Sequence, residues 1–256
     1  MKRVAIVGGA GRMGQALAEG LARVSDVAVT ALVDVHPPVA LFGAHYVAQL
    51  RELDSSSIDA VVDFSVPESV VTSAQWCGAH GVPLVIGTTG LSEPERAAVE
   101  GASQLTGVVM ASNFALGAVL SERFAELAAP FFDRVEIVEL HHDRKVDAPS
   151  GTALATARAI AAARAEAHRE PMSDPTTRHT VAGARGADAG DGVRVHSVRL
   201  PGLVAHQEII FGGPGEGLTI RHDSFDRQSF VQGVALALRH VSAAPALTVG
   251  LSSFLI

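Results

Sequence analysis

The chain has 256 residues, of which 48% are hydrophobic and 18% are charged, and its formal net charge is -7. This length allows one large domain or two modest ones, and the composition excludes a disordered or coiled-coil protein. The acidic balance excludes a global positive field that would attract nucleic acid or an anionic membrane, so any anion must be bound by a local site. We expect a globular protein with neither a nucleic-acid nor a membrane partner.

The single cysteine, Cys77, excludes an intramolecular disulfide and favours a reducing compartment. It lies in a helical pattern at residues 68–80, where an apolar core position is the expected role. The apolar run at residues 4–7 is ended by glycines and is too short for an export signal, and no other stretch reaches the ~20 apolar residues of a membrane-spanning helix. We therefore expect a soluble, cytoplasmic protein.

Short apolar runs alternate with amphipathic, Ala-rich stretches in the first half of the chain, a pattern typical of parallel strands joined by crossover helices. The predicted strands are residues 4–8, 27–34, 60–64, 84–87 and 108–111. The predicted helices are residues 13–24, 68–80 and 93–104, the last with a capping box formed by Ser92 and Glu95.

The pattern changes after Asn113. Helices are predicted over residues 116–128, 153–167 and 230–241, and strands over residues 134–142, 193–200, 203–211 and 218–222. These four strands are expected to form one open sheet, and the last helix is expected to pack back on the N-terminal domain. The polar, Gly-rich stretch at residues 170–192 indicates a long, mobile connection and is a candidate lid.

A glycine-rich turn directly follows the first predicted strand and opens a helix. Gly9, Gly11 and Gly14 match the Gly-x-Gly-x-x-Gly pattern, in which the glycines allow close approach of a pyrophosphate to the helix N-terminus. Asp34 ends the next strand, where a carboxylate can accept hydrogen bonds from the ribose of NAD and would repel the phosphate of NADP. The glycines alone are compatible with a plain turn, but strand, glycines, helix, strand and acid in this order indicate dinucleotide binding.

Five titratable or cationic side chains, from His141 to Lys145, precede the helix predicted over residues 153–167. His141 and His142 point to opposite faces of a strand and cannot easily share one metal ion, so no metal site is predicted. A His and Lys145 can supply protons and charge, while residues 150–152 present donors to a carboxylate at the helix start. This suits a small anionic substrate; a solvated strand end with a capped helix is the structural alternative.

Six motifs carry a resemblance to one family: VGGAGRMG at 7–14, DFSVP at 63–67, GTTG at 87–90, SNF at 112–114, ELHH at 139–142 and KVDAPSGTA at 145–153. Together they resemble the bacterial 4-hydroxy-tetrahydrodipicolinate reductases (dihydrodipicolinate reductases) over nearly the whole chain. The resemblance implies NAD(P)H-dependent reduction of 4-hydroxy-tetrahydrodipicolinate to tetrahydrodipicolinate with loss of water, in diaminopimelate and lysine biosynthesis. It also implies a homotetramer assembled through the sheet of the second domain.

The resemblance further implies roles for particular residues. His141 is the expected proton donor and acceptor, and Lys145 the second proton donor. The substrate-binding positions expected from the resemblance and from the helix start are His142, Ser150, Gly151, Thr152 and Arg227. The expected cofactor-binding positions are Gly8, Gly9, Ala10, Gly11, Arg12, Met13, Asp34, Gly87, Thr88, Thr89, Ala111, Ser112, Asn113 and Phe114.

The expected fold is α/β. A Rossmann-type parallel sheet domain is predicted over residues 1–112, and an α+β substrate-binding and oligomerisation domain with an open mixed sheet over residues 113–226. Residues 227–256 are predicted to return to the first domain. Asp34-Val35 lacks the Glu-Arg dipeptide of members that use NADPH well, so NADH is the expected cofactor, with NADPH possible.

Two other functions are compatible with such a fold. A nucleotide-binding redox sensor is disfavoured by the intact His141, Lys145 and residues 150–152. Another two-domain dehydrogenase, acting on a semialdehyde or a sugar, is disfavoured because the only cysteine has a predicted core position and because the loop suits a dicarboxylate.

Overall fold

The computed structural model describes residues 1–255. The chain divides into two compact units: Met1–Leu116 together with the segment from Arg227 onward, and Gly117–Asp226. Within residues 1–255, no helix is both long enough and apolar enough to cross a membrane.

Across residues 1–255 there are six α-helices and twelve strands. The helices are α1 (Arg12–Leu21), α2 (Pro67–His80), α3 (Glu93–Ser103), α4 (Leu116–Ala128), α5 (Gly151–Glu166) and α6 (Val231–His240). The strands are β1 (Lys2–Val7), β2 (Val27–Val33), β3 (His45–Val47), β4 (Ala60–Asp63), β5 (Leu84–Ile86), β6 (Gly107–Met110), β7 (Arg134–His141), β8 (Ala187–Asp188), β9 (Arg194–Arg199), β10 (Ala205–Gly213), β11 (Glu216–Ser224) and β12 (Ala246–Val249).

The first unit is built on a seven-stranded sheet in the order β12-β6-β5-β4-β1-β2-β3, with every neighbouring pair parallel. Its central strands are short aliphatic runs because both faces are covered, and Val4, Ala5 and Ile6 of β1 are fully buried. This confirms the predicted Rossmann-type domain. The sequence reading missed β3 and β12, which are short edge strands with mostly exposed or half-buried side chains.

The second unit is built on a five-stranded mixed sheet in the order β11-β10-β7-β9-β8. β7 pairs antiparallel with β10 and parallel with β9, so the predicted open mixed sheet is confirmed. One face of β7 packs against α5, where Ile137 and Ile160 are fully buried beside Phe211 of β10. Burying each such side chain contributes about 1.5–3 kcal/mol to folding before entropy is counted.

The last helix packs within the first unit, where Val234, Ala235 and Leu238 of α6 are fully buried. Gly233 allows this approach, because a Cβ at this position would lie 1.9 Å from the backbone oxygen of Phe114. β12 then extends the sheet by pairing with β6. The first unit thus combines residues 1–116 with residues 227–255.

The segment between α5 and β9 is irregular, as predicted, except for the two-residue strand β8, which was not predicted. It is attached to the second unit by Met172, which is buried, and by Asp174, which pairs with Arg194 at 3.1 Å and with Arg185 at 3.5 Å. Its mobility and its role as a lid remain predictions.

Candidate active site

The predicted cofactor-binding residues all follow the carboxyl ends of parallel strands in the first unit. Residues 8–13 follow β1, Asp34 follows β2, residues 87–89 follow β5 and residues 111–114 follow β6. Since the strands are parallel, these positions share one edge of the sheet, called here the carboxyl edge. Ligands of open α/β sheets bind at this edge.

The glycine-rich turn has no room for side chains. Gly8 has φ +81°, and a Cβ at Gly14 would lie 2.1 Å from the backbone oxygen of Gly8. Gly11 is the N-cap of α1 and makes no side-chain cap, and the first turn of α1 contains no acidic residue. The N-terminal N–H groups and positive dipole end of α1 are therefore available to an anion.

Asp34 is held against this turn. One carboxylate oxygen accepts a hydrogen bond from the backbone N–H of Ala10 at 3.0 Å, and the other accepts one from the N–H of His36 at 3.1 Å. Each carboxylate oxygen has a second lone pair, so Asp34 can still accept from a ribose hydroxyl. Asp34 lines a cavity of about 460 Å³ together with Gly8, Gly11 and Phe64.

A buried carboxylate that the sequence reading did not assign supports two loops of the carboxyl edge. Asp63, fully buried at the end of β4, accepts hydrogen bonds from the hydroxyls of Ser65 at 2.6 Å, Ser73 at 2.5 Å and Thr88 at 2.9 Å. The backbone N–H of Ser65 also donates to it at 3.0 Å. The hydroxyl of Thr88, a predicted cofactor-binding residue, therefore donates its hydrogen bond to Asp63.

The loops after β5 and β6 are shaped by aromatic packing. A Cβ at Gly87 would lie 2.1 Å from the ring of Phe64, and that ring packs against Phe114 with centroids 5.3 Å apart. The side-chain oxygen of Asn113 accepts a hydrogen bond from the N–H of Ala115 at 2.9 Å. Phe114 is fully buried, so it contributes packing to this loop.

The second unit gathers most of the predicted catalytic and substrate-binding residues between β7 and α5. We call this group the β7 site; it consists of Glu139, His141, His142, Lys145, Asp147, Ser150, Gly151 and Thr152. His141 ends β7, and its Nδ1 shares a hydrogen bond with Oε2 of Glu139. Glu139 is fully buried, because strand alternation turns residues 137, 139 and 141 to the face covered by α5.

The start of α5 follows the predicted capping pattern. The Ser150 hydroxyl accepts a hydrogen bond from the N–H of Ala153 at 3.2 Å, and its own N–H donates to Oε1 of Glu139 at 3.2 Å. The next two N–H groups, of Gly151 and Thr152, have no intrahelical acceptor at a helix start. Gly151 is exposed and a Cβ there would meet open space, so this end of α5 can receive a carboxylate.

Lys145 lies in a turn closed by a hydrogen bond from its N–H to the backbone oxygen of His142 at 3.1 Å. Its Nζ donates to both carboxylate oxygens of Asp147, at 2.7 and 2.8 Å. Asp147 is therefore the acidic partner of Lys145, whereas Asp143 is exposed. Nδ1 of His142 is buried without a hydrogen-bond partner in the described part of the chain.

The pKa shifts in the β7 site have identifiable causes. Burial alone raises the pKa of Glu139, but hydrogen bonds from Arg199, Ser197 and His141 outweigh burial and hold that pKa below its usual value. Burial, together with the charges of Lys145 and Arg199, lowers the pKa of His141 although Glu139 raises it. The hydrogen bond from Lys145 lowers the pKa of Asp147. Glu139 is therefore an anion next to a largely desolvated imidazole.

Two further residues singled out in the sequence are Arg227 and Cys77. Arg227 is exposed and belongs to the first unit, whereas the other predicted substrate-binding residues belong to the second. Cys77 is fully buried in α2, and burial raises the pKa of its thiol, so it is not a nucleophile. Within residues 1–255, no three His, Cys, Asp or Glu side chains are grouped to hold a metal ion.

The parallel sheet, the glycine-rich turn and the uncapped start of α1 are the features of a dinucleotide-binding α/β protein. Residues 2–114 match the family described as dihydrodipicolinate reductase, N-terminus, and residues 117–255 match dihydrodipicolinate reductase, C-terminus. The chain belongs to the dihydrodipicolinate reductase family, and the predicted family is confirmed.

Individual relatives agree with this assignment. The 4-hydroxy-tetrahydrodipicolinate reductases of Nocardia farcinica and Corynebacterium aurimucosum are 48% and 46% identical to the chain, and each alignment covers 99% of the chain and 98% of the relative. The solved structure of a dipicolinate-bound dihydrodipicolinate reductase from Paenisporosarcina sp. TG-14 is 39% identical, covers 100% of both chains and has a TM-score of 0.87.

Proposed function

We propose that the protein reduces 4-hydroxy-tetrahydrodipicolinate to tetrahydrodipicolinate with loss of water, at the expense of NAD(P)H, in diaminopimelate and lysine biosynthesis. The observation that carries this proposal is the match of both units to one reductase family, with relatives of the same activity aligned over nearly the full length. The dipicolinate-bound neighbour supports a small dicarboxylate as substrate. The redox-sensor and other-dehydrogenase alternatives are not favoured.

The first unit is the proposed cofactor-binding part of the protein. The glycine-rich turn fits a dinucleotide, since its tight backbone leaves no room for a side chain at Gly14 and the N–H groups at the start of α1 have no side-chain cap. When bound, the nicotinamide supplies the hydride. Residues 8–13 are proposed to hold the pyrophosphate, with Arg12 adding positive charge, and the residues after β5 and β6 to line the nicotinamide side.

The β7 site is the proposed substrate-binding and proton-donating part. The N–H groups of residues 151 and 152, with the dipole of α5, are suited to bind one carboxylate of the substrate. His142, with its unpartnered Nδ1, and Arg227 are also proposed to contact the substrate. His141 and Lys145 are proposed to protonate the nitrogen and carbon that become electron-rich during reduction.

The experiment that tests this function follows the loss of NADH absorbance with 4-hydroxy-tetrahydrodipicolinate freshly made by the preceding synthase. We expect oxidation that depends on both the synthase product and the protein. Binding of NADH is measured separately by its fluorescence. Binding without substrate-dependent oxidation would support the redox-sensor alternative and contradict the proposed function.

NADH is the proposed preferred cofactor, with NADPH as a possible substitute. The support is Asp34, whose carboxylate lines the cavity and would repel a phosphate on the adenine ribose. We expect Asp34→Asn to shift the ratio of kcat/KM towards NADPH by about tenfold, which corresponds to about 1.4 kcal/mol. A wild-type enzyme that favours NADPH by about tenfold would contradict the preference.

We also propose a cytoplasmic homotetramer assembled through the five-stranded sheet. Residues of β10 and β11 support an interface there, because Ile210 and Leu218 are large apolar side chains left 41% and 38% exposed. Light scattering on the purified protein checks the proposal, and a monomeric mass at working concentration would contradict it.

A further inference from the structure

Glu139 of the β7 site forms an ion pair with Arg199, a residue that lies in none of the motifs. Arg199, at the end of β9, donates from Nη1 to Oε2 of Glu139 and from Nη2 to Oε1, both at 2.8 Å. Parallel pairing of β7 with β9 places Arg199 opposite His141 and Ser197 opposite Glu139. A two-pronged contact of this kind fixes the plane of a carboxylate more firmly than a single hydrogen bond does.

The first consequence concerns His141. Glu139 is ionised and can only accept hydrogen bonds, so its contact with Nδ1 requires the proton of the neutral imidazole to be on Nδ1. Nε2 is then the ring atom that exchanges protons with a substrate. Arg199 fixes Glu139, and Glu139 in turn fixes both the tautomer and the ring orientation of His141.

The second consequence concerns Lys145. Nη2 of Arg199 also donates to the backbone oxygen of Asp147 at 2.7 Å, and the carboxylate of Asp147 holds Nζ of Lys145. The same guanidinium therefore connects to Lys145 through the loop, as it connects to His141 through Glu139. The loop carrying Lys145 is held to β9 at this point.

We propose that Arg199 is a positioning residue that sets the geometry of both proton donors, through the carboxylate of Glu139 on one side and the backbone of Asp147 on the other. The proposal rests on the proposed reductase function. It assigns a role in the reaction to Arg199 and Glu139, neither of which is expected to touch the substrate.

The charged groups around His141 decide the expected pH dependence. Glu139 on β7 favours the imidazolium, while Lys145 in the loop and Arg199 on β9 oppose it. On the other side of β7, the residue of β10 paired with His141 is Ala205, which carries no charge. Glu139→Gln removes the favourable charge with little change in shape. The imidazolium then loses its proton more readily, so the limb of the kcat profile that reports His141 moves to lower pH.

The main test compares Arg199→Met with Arg194→Met. Arg194 is a matched control, since it lies on the same strand, is similarly covered and forms an ion pair with Asp174. We expect Arg199→Met to lower kcat on the order of a hundredfold, within the range that one positioned general acid contributes. The KM for NADH should not change, and Arg194→Met should keep the kcat of the wild type.

Two further variants separate positioning from structural support. Arg199→Lys keeps the charge but loses the two-pronged geometry, so it should restore thermal stability without restoring kcat. Glu139→Gln should lower kcat and shift the His141 limb. Full activity in Arg199→Lys, or a wild-type kcat profile in Glu139→Gln, overturns the proposal even if Arg199→Met does not fold.

Different results would contradict the reductase function and the positioning role of Arg199. A wild-type protein without substrate-dependent NADH oxidation contradicts the proposed function. An active wild type whose kcat is unchanged in Arg199→Met contradicts only the positioning role.

Discussion

The carboxyl edge of the first unit presents mainly backbone, whereas the β7 site of the second unit presents mainly ionisable side chains. At the carboxyl edge, glycines and helix N–H groups determine the surface, and Asp34 is the main charge. In the β7 site, Glu139, His141, Lys145 and Asp147 lie within one connected set of hydrogen bonds. A site made of backbone is sensitive to volume, while a site made of charges is sensitive to protonation and orientation.

The buried carboxylates of the two units show the same difference. Asp63 is satisfied by three hydroxyls and one backbone N–H, all neutral donors. Glu139 accepts hydrogen bonds from a guanidinium, an imidazole, the hydroxyl of Ser197 and the backbone N–H of Ser150. The two-pronged contact with a cation gives Glu139 a restraint that the neutral donors of Asp63 do not provide, so Glu139 is the more tightly fixed of the two.

The largest expected effect is on the charged site. Lys145→Ala removes a proposed proton donor, so we expect kcat to fall by about 10²–10⁴-fold with little change in NADH affinity. Arg144→Ala is the matched control, because the neighbouring Arg144 side chain is exposed. Steady-state kinetics with saturating NADH measure the effect. Equal losses of kcat in both variants would show that only the total positive charge of the loop matters, which would contradict a specific role for Lys145.

The next effect concerns the backbone site. Gly14→Ala places a methyl group 2.1 Å from the backbone oxygen of Gly8, which is too close for a van der Waals contact, so the turn must shift. We expect the dissociation constant for NADH to rise by at least about tenfold, a loss of about 1.4 kcal/mol of binding free energy.

Gly101→Ala is the control for this substitution. Gly101 lies within α3 and a Cβ there meets nothing within 4 Å, so the change should stabilise the helix by up to about 1 kcal/mol. Fluorescence titration and thermal unfolding separate the two outcomes. Unchanged NADH affinity in Gly14→Ala would refute the role given to the turn.

The smallest expected effect is on the free energy of unfolding, and it concerns an ion pair of the first unit that is away from the carboxyl edge. Arg3 of β1 donates to Asp59, just before β4, and this hydrogen bond lowers the pKa of Asp59 to about 2. The unfolded pKa is about 3.9, so the pair stabilises the fold above that pH and the contribution is lost as pH falls towards 2.

Because both side chains are partly exposed, Asp59→Asn should cost less than about 1 kcal/mol at neutral pH. Denaturant unfolding at neutral and at acid pH measures this difference, which should disappear in acid. NADH affinity should be the same in the variant and in the wild type. An altered affinity would mean that charge at the opposite edge of the sheet also affects the cofactor site.

The sequence predicted the elements of both units because their apolar periods are strong and their turns carry Gly, Pro and capping residues. The structure bears out the parallel sheet, the mixed sheet and the start of α5 to within a few residues. β3 and β12 were missed because an edge strand with exposed side chains has no apolar run to mark it.

The residues that touch ligands are easier to predict than the residues that hold them. His141 and Lys145 lie in one short motif, so proximity in the chain indicates proximity in space. Arg199 has no such signal, since strand register alone places it opposite His141. Glu139 was part of the motif, but its burial and its partners became visible only when β7, β9 and α5 were packed together.

The return of α6 and β12 to the first unit has a consequence for synthesis on the ribosome. Residues 117–226 are contiguous, so the second unit is complete in sequence while the first still lacks the helix that buries Leu238 and the strand that covers β6. Domains generally fold as units during synthesis. The first unit begins to be synthesised before the second, but its core is completed later. A premature stop before α6 would leave a complete second unit attached to an incomplete first unit.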